Sequence, residues 1–145
     1  MPDPEIQALC MFALAGAQRD LGLEGLALKW VQPGHPGLPW ATRPDQVVGT
    51  WHVISTGDPT ADVAWVTPER PRVINLIDQS GSGLLRQHWE IAAPFTVLHE
   101  ARHCYQYINN WEGSKEERES DAQIWAIGAY DRLFVGRQPK PAPSD

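Results

Sequence analysis

No apolar run near the start of this 145-residue chain is long enough to cross a bilayer: Ala8–Ala15 soon meets Gln18, Arg19 and Asp20, whereas a helical span needs about 20 apolar residues. No basic n-region precedes that run, so no export signal is read from it. Basic charge is scarce too. Twelve Lys and Arg against 18 Asp and Glu leave a net charge of -6, and no cationic stripe exists to neutralise a phosphate backbone. Cysteine is limited to Cys10 and Cys104, each within an apolar helical pattern where a free thiol acts as a small buried hydrophobe. These deficits argue against nucleic acid and membrane as partners, and the expectation is a soluble, cytoplasmic protein with reduced thiols. No internal repeat appears.

The length suits one domain with a core of its own. Seven tryptophans are read as core filling, since large aromatics mostly serve that purpose. Asp3 and Pro4 supply an N-cap and a first-turn proline, and Ile6, Leu9, Cys10, Ala13, Leu14 and Ala17 recur at helical spacing, which predicts a first helix from about Pro4 to Leu21. Leu26–Val31 fits a short strand. The run Pro33-Gly34-His35-Pro36-Gly37-Leu38-Pro39 is too rich in breakers for regular structure. Gln46–Ser55, Asp62–Val66 and Arg72–Ile77 carry the β-branched and aromatic residues that strands favour, so the middle of the chain reads as a small sheet. A short helical piece at Leu84–Glu90 leads to Pro94, which opens a helix running to about Asn110. A last helix covers Lys115–Phe134. The expected fold class is α+β, with one domain over 1–136 and a proline-rich flexible tail over 137–145.

The chemistry concentrates at His99-Glu100-Ala101-Arg102-His103. Residues four apart in a helix share a face, so His99 and His103 can present two imidazoles to one ion, and tetrahedral zinc accepts such a pair. Glu100 is turned about 100° from His99, beside the ion and not on it, where it can take a proton from a zinc-activated water. Val97, Ala101, Cys104 and Ile108 form an apolar stripe on this helix, while Thr96, His99, Glu100, His103, Gln106 and Tyr107 gather on the other side. The histidines thus avoid the plain core stripe.

A third protein ligand is needed, leaving one position open for water. The acidic run Ser114–Asp121 supplies candidates. Glu117 is the first choice, with Glu119 in reserve, and Asp121 would accept a hydrogen bond from a ligating imidazole and fix its tautomer. Ser114 and Glu117 also match the S-x-x-E capping box that starts many helices, a competing role for the same carboxylate. Gly128, on the Glu117 side, would let the two helices approach closely.

With its glutamine at Gln106 and its acids at Glu117 and Asp121, the pattern resembles the small gluzincin branch of the zincin metallopeptidases, marked by HExxH, often a following glutamine, and a Glu-x-x-x-Asp-like motif on the next helix. The resemblance covers roughly Arg72–Phe134. It implies a minimal zincin-like domain, Zn2+ as cofactor, His99, His103 and Glu117 as ligands, Glu100 as general base and acid, and Asp121 as the group behind an imidazole. It also implies the Arg72–Ile77 strand as the sheet edge on which an extended peptide or protein substrate lies. No transition-state stabiliser stands at a recognisable spacing. Arg132 and His88 are the candidates, with His52 a further one. The expected function is that of a zinc-dependent metallopeptidase, an endopeptidase or protease-like effector; the alternative is a non-catalytic binding module on a zincin scaffold.

Overall fold

The structure, a computed structural model, describes residues 3–31, 64–78 and 86–136. The expected strand Gln46–Ser55, His52, the breaker-rich run after Val31 and the tail 137–145 lie outside the described residues. The remainder is a mixed α+β arrangement of three helices and a three-stranded sheet. None of the described helices is long and apolar enough to cross a membrane.

Helix α1 spans Pro4–Leu21, as its spacing predicts. The Asp3 carboxylate accepts from the backbone N–H groups of Glu5 and Ile6 at 2.9 and 3.4 Å, satisfying two of the donors that every helix start leaves open. Gly22 ends the helix at φ 66°, and Leu23 N–H closes on the Gln18 carbonyl at 2.9 Å, the left-handed stop that glycine adopts without steric cost. Ile6, Cys10, Ala13, Leu14 and Ala17 are buried, so both the expected stripe and the burial of the first thiol hold. Burial pushes the Cys10 thiol up to about 12, and the Cys104 thiol, also buried, is raised likewise.

The sheet comprises β1 (Ala27–Val31), β2 (Ala64–Thr67) and β3 (Arg70–Ile77) in the order β1-β3-β2. β2 and β3 form an antiparallel hairpin, and β1 lies parallel to β3 with Ala27 opposite Val73 and Val31 opposite Ile77. β3 is therefore central. Val73–Ile77 pairs with β1, and Arg70, Asn75 and Leu76 pair with β2 across a register shift, so the strand expected as a substrate-binding edge at Arg72–Ile77 is the middle strand of the sheet and not an edge.

Helix α2 runs unbroken from Arg86 to Ile108, with Pro94 in its interior. Pro94 was expected to open a helix after a separate helical piece at Leu84–Glu90; instead the two are one helix with no break at the proline. An internal proline costs roughly 3 kcal/mol. Burial on both sides of it offsets that cost, because Trp89, Ala92, Ala93, Val97 and Leu98 are all in the core and a large side chain contributes about 1.5–3 kcal/mol when buried. α2 is the central helix, packed against α1, against β2 and β3, and against α3 (Lys115–Tyr130). The last helix ends earlier as an α-helix than its pattern suggested and passes into a single π turn, Asp131–Val135.

That turn places Leu133 over α1. A Cβ built on Gly16 would meet both Leu133 methyl carbons at 2.7 Å, so any larger residue there must displace the buried Leu133 side chain. Gly16→Ala should destabilise the protein by about 1–3 kcal/mol through overpacking, in spite of alanine's higher helix propensity. Thermal unfolding measures this, and a melting temperature at or above wild type would show that Leu133 can move aside.

Candidate metal centre

α2 and α3 are joined by a short link whose ends are both built from local hydrogen bonds. Asn110 takes φ 50° and Trp111 N–H closes on the Gln106 carbonyl at 2.9 Å, a left-handed stop that asparagine tolerates better than most residues. Ser114 then caps α3. Its hydroxyl accepts from Glu117 N–H at 3.1 Å, and Glu117 Oε1 accepts from Ser114 N–H at 3.0 Å. The capping box seen in the sequence is thus formed, and the Ser114 backbone N–H holds the Glu117 carboxyl below its ordinary value.

Glu119, not Glu117, meets the histidines. His99 Nε2 lies 3.0 Å from Glu119 Oε2, His103 Nε2 lies 3.2 Å from Glu119 Oε1, and the two Nε2 atoms are 3.1 Å apart. Glu117 faces solvent in its cap. Two residues along a helix is a turn of about 200°, so Glu117, the first-choice ligand, and Glu119 do not share a face, and the structure does not bring Glu117 to the histidines. His99, Glu100 and His103 also offer ligand atoms within 4.8 Å of one another, a group that could hold a metal ion.

The donor set can be tested against an ion. Ligand atoms 2.0–2.1 Å from a tetrahedral zinc lie about 3.3 Å from each other. The separations of 3.1 Å between the two Nε2 atoms, 3.0 Å from His99 Nε2 to Glu119 Oε2 and 3.2 Å from His103 Nε2 to Glu119 Oε1 are each close to that edge length, with a different carboxylate oxygen facing each imidazole. Glu100 is buried at 8% exposure.

Each imidazole is held from behind by a carboxamide. Gln123 Oε1 lies 3.0 Å from His99 Nδ1, and Gln106 Oε1 lies 2.8 Å from His103 Nδ1. The orientation of Gln106 follows from its other end, where Nε2 donates to the Arg118 carbonyl and to Asp121 Oδ2, both at 2.9 Å. Its oxygen must therefore face His103, whose Nδ1–H donates, leaving Nε2 to point at Glu119. Asp121 does not reach an imidazole itself. It receives Arg102 in a two-pronged pair, Nε to Oδ2 at 2.8 Å and a terminal nitrogen to Oδ1 at 3.2 Å, and supports His103 through Gln106. The Arg102 guanidinium holds the Asp121 carboxyl below its ordinary value against the opposing effect of burial, and packs 4.5 Å above the Tyr105 ring.

Burial pulls the His103 imidazole down, but its hydrogen bond to Glu119, the charges of Glu100 and Glu119 and the Gln106 contact together raise it to about 9. Burial correspondingly pushes Glu119 up, and hydrogen bonds from both imidazoles overcome this and leave its carboxyl far below the usual range. A protonated His103 beside an ionised Glu119 is thus favoured.

The two proposed stabilisers lie elsewhere. His88 precedes His99 by eleven residues on the same continuous helix, about 16 Å along its axis, because α2 does not break at Pro94. Arg132 lies 3.5 Å from Asp20 at the end of α1. Tyr130 stacks on Phe134 at 4.7 Å between ring centres. Gly128 permits no close helix approach either, since a Cβ there would meet Arg132 of its own segment at 3.3 Å; the buried residues of α3 are Ala122, Ala126 and Ala129. Gln123 is the residue that sequence reasoning missed. The signal was present: Glu119 and Gln123 are four apart, and the alanine stripe one turn on marks the inward face.

Compared with protein-family models, with curated proteins and with solved structures, the chain finds no match.

Proposed function

We propose that the chain is a zinc-dependent metallopeptidase of minimal zincin type, with His99, His103 and Glu119 as ligands and Glu100 as general base. The observation that carries this reading is the triangle of His99 Nε2, His103 Nε2 and the Glu119 carboxylate, with edges of 3.0–3.2 Å and each imidazole backed at Nδ1 by a glutamine oxygen. Two imidazole nitrogens and a carboxylate, here with one oxygen turned to each imidazole, make up a common donor set of hydrolytic zinc sites, and the supporting hydrogen bonds orient the imidazoles. Zinc, when bound, supplies Lewis-acid chemistry there.

The protein's own residues account for the rest. Glu100 follows His99 on α2 and is turned aside from the ligand direction, so its carboxylate can take the proton of an attacking water and return it to the departing amine. A purely structural site has no use for a buried carboxylate beside its ligands. The substrate is a peptide or protein. With β3 in the middle of the sheet, an extended substrate would pair with an edge strand or lie across the α2–α3 face.

Purified protein should contain about one zinc per chain by elemental analysis, and loading should be linked to protons. His103, held at about 9 in the metal-free protein, carries a proton at pH 7.5 that zinc must displace, so about one proton should be released per zinc. The sign is definite: a histidine raised above its ordinary 6.5 contributes stability to the metal-free fold that is full below about 6.5 and lost as pH rises through about 9. Zinc affinity should accordingly climb with pH up to about 9, a higher onset than free imidazoles would give. Calorimetry in buffers of different ionisation enthalpy reads the proton count. No stoichiometric zinc at pH 7.5, or unchanged content in His99→Ala/His103→Ala, would refute the centre.

A further inference from the structure

The structure assigns Gln106 a positioning role that links the two halves of the metal centre: one carboxamide orients His103 on α2 and fixes the height of Glu119 on α3. This rests on the metal-centre reading above. Gln106 is 1% exposed, and its three hydrogen bonds to His103, Arg118 and Asp121 are directional. Its oxygen accepts from His103 Nδ1–H at 2.8 Å, while its nitrogen donates to the Arg118 carbonyl and to Asp121 Oδ2 at 2.9 Å each. Arg118 immediately precedes Glu119 in the chain, and Asp121 follows it by two residues. The glutamine therefore grips the backbone just before the third ligand and a side chain just after it.

Only an amide can do this. A glutamate at the same place would face the Arg118 carbonyl and the Asp121 carboxylate with acceptors against acceptors, and a histidine-facing oxygen alone would leave α3 unregistered. Buried polar groups of this kind are costly when half satisfied and strongly specifying when fully satisfied. Arg102 completes the arrangement by neutralising Asp121 through its two-pronged contact. The separation that brings Glu119, and not Glu117, to the histidines is thus set by a group that would never touch the ion.

A double-mutant cycle on zinc affinity tests the link, with zinc measured by competition against a chelator at fixed pH. Gln106→Met keeps the length of the side chain and removes all three hydrogen bonds. It should weaken zinc about 10–100-fold in the wild-type background, and by a clearly smaller factor when Glu119 is already alanine, because part of its effect acts through Glu119. Equal factors in the two backgrounds would overturn the link, as would unchanged affinity in Gln106→Met with only the metal-free melting temperature lowered. If Gln106→Met does not fold without metal, Asp121→Asn serves in its place. It removes the ionic partner of Arg102 at a partly exposed position, should weaken zinc in wild type, and should add little in Glu119→Ala; equal losses would again overturn the proposal. A wild-type protein that binds no zinc refutes the metal centre itself, an outcome distinct from an additive cycle in a protein that does.

Discussion

Glu100→Gln is expected to retain about one zinc per chain and a near-wild-type melting temperature while losing about 10²–10⁴ in the rate of peptide-bond cleavage, the usual contribution of a general base. Glutamine has nearly the shape of glutamate, so packing at this buried position is preserved. What it loses is the ability to accept the proton that an attacking water must give up. Substrate capture should survive, which makes the variant a trap. Wild type and Glu100→Gln would be incubated in parallel with a lysate of cells that carry the protein, and new peptide termini and retained proteins compared by mass spectrometry. Retention of the same protein by both forms, with no new termini from wild type, would end the peptidase reading and leave a binding module.

Glu119→Ala and Glu117→Ala should separate cleanly, although the two carboxylates stand only two positions apart. Loss of Glu119 removes the group within 3.0 and 3.2 Å of the two imidazoles, and zinc affinity should fall by more than the roughly 10–100-fold typical of a residue that only supports a ligand. Loss of Glu117 removes one half of the capping box, so the melting temperature should drop while zinc affinity stays put. Competition titrations with a zinc chelator, paired with thermal melts of the metal-free forms, give both quantities. A larger loss of zinc in Glu117→Ala would overturn the ligand assignment.

Local chemistry was legible in the chain wherever one residue decides a conformation. Asp3 and Pro4 start α1 at the expected residue, Gly22 stops it, and Ser114 with Glu117 starts α3. The imidazole pair was legible as well, because helical spacing alone puts His99 over His103. Three things were not. The strand order depends on partners distant in sequence, and nothing within Arg70–Ile77 announces that both of its sides are paired. The continuity of α2 through Pro94 is a tertiary effect, in which burial of Trp89, Ala92 and Ala93 overrides the preference of a proline for a helix start. The expected inward face of α3, the side of Glu117 and Gly128, is not the one that packs on α2. Ile124 is 69% exposed, whereas Ala122 and Ala126 are fully buried: where two helices pack closely, the small residues face the partner. Shifting that face by two residues converts the expected Glu117-x-x-x-Asp121 pairing into Glu119 and Gln123, the two groups that flank His99.

Every group gathered at the centre, from His99 to Gln123, belongs to one continuous stretch of two helices and the turn between them. Chain entropy treats that stretch very differently from the sheet. Bringing α3 back onto α2 closes a short loop, whereas pairing β1 with β3 must enclose the whole segment from Val31 to Arg70, and each doubling of loop length adds about 0.6 kcal/mol of closure cost. The α2–α3 hairpin thus gathers these side chains at low entropic cost, and the sheet, built from contacts distant along the chain, supplies the wall against which α2 is held.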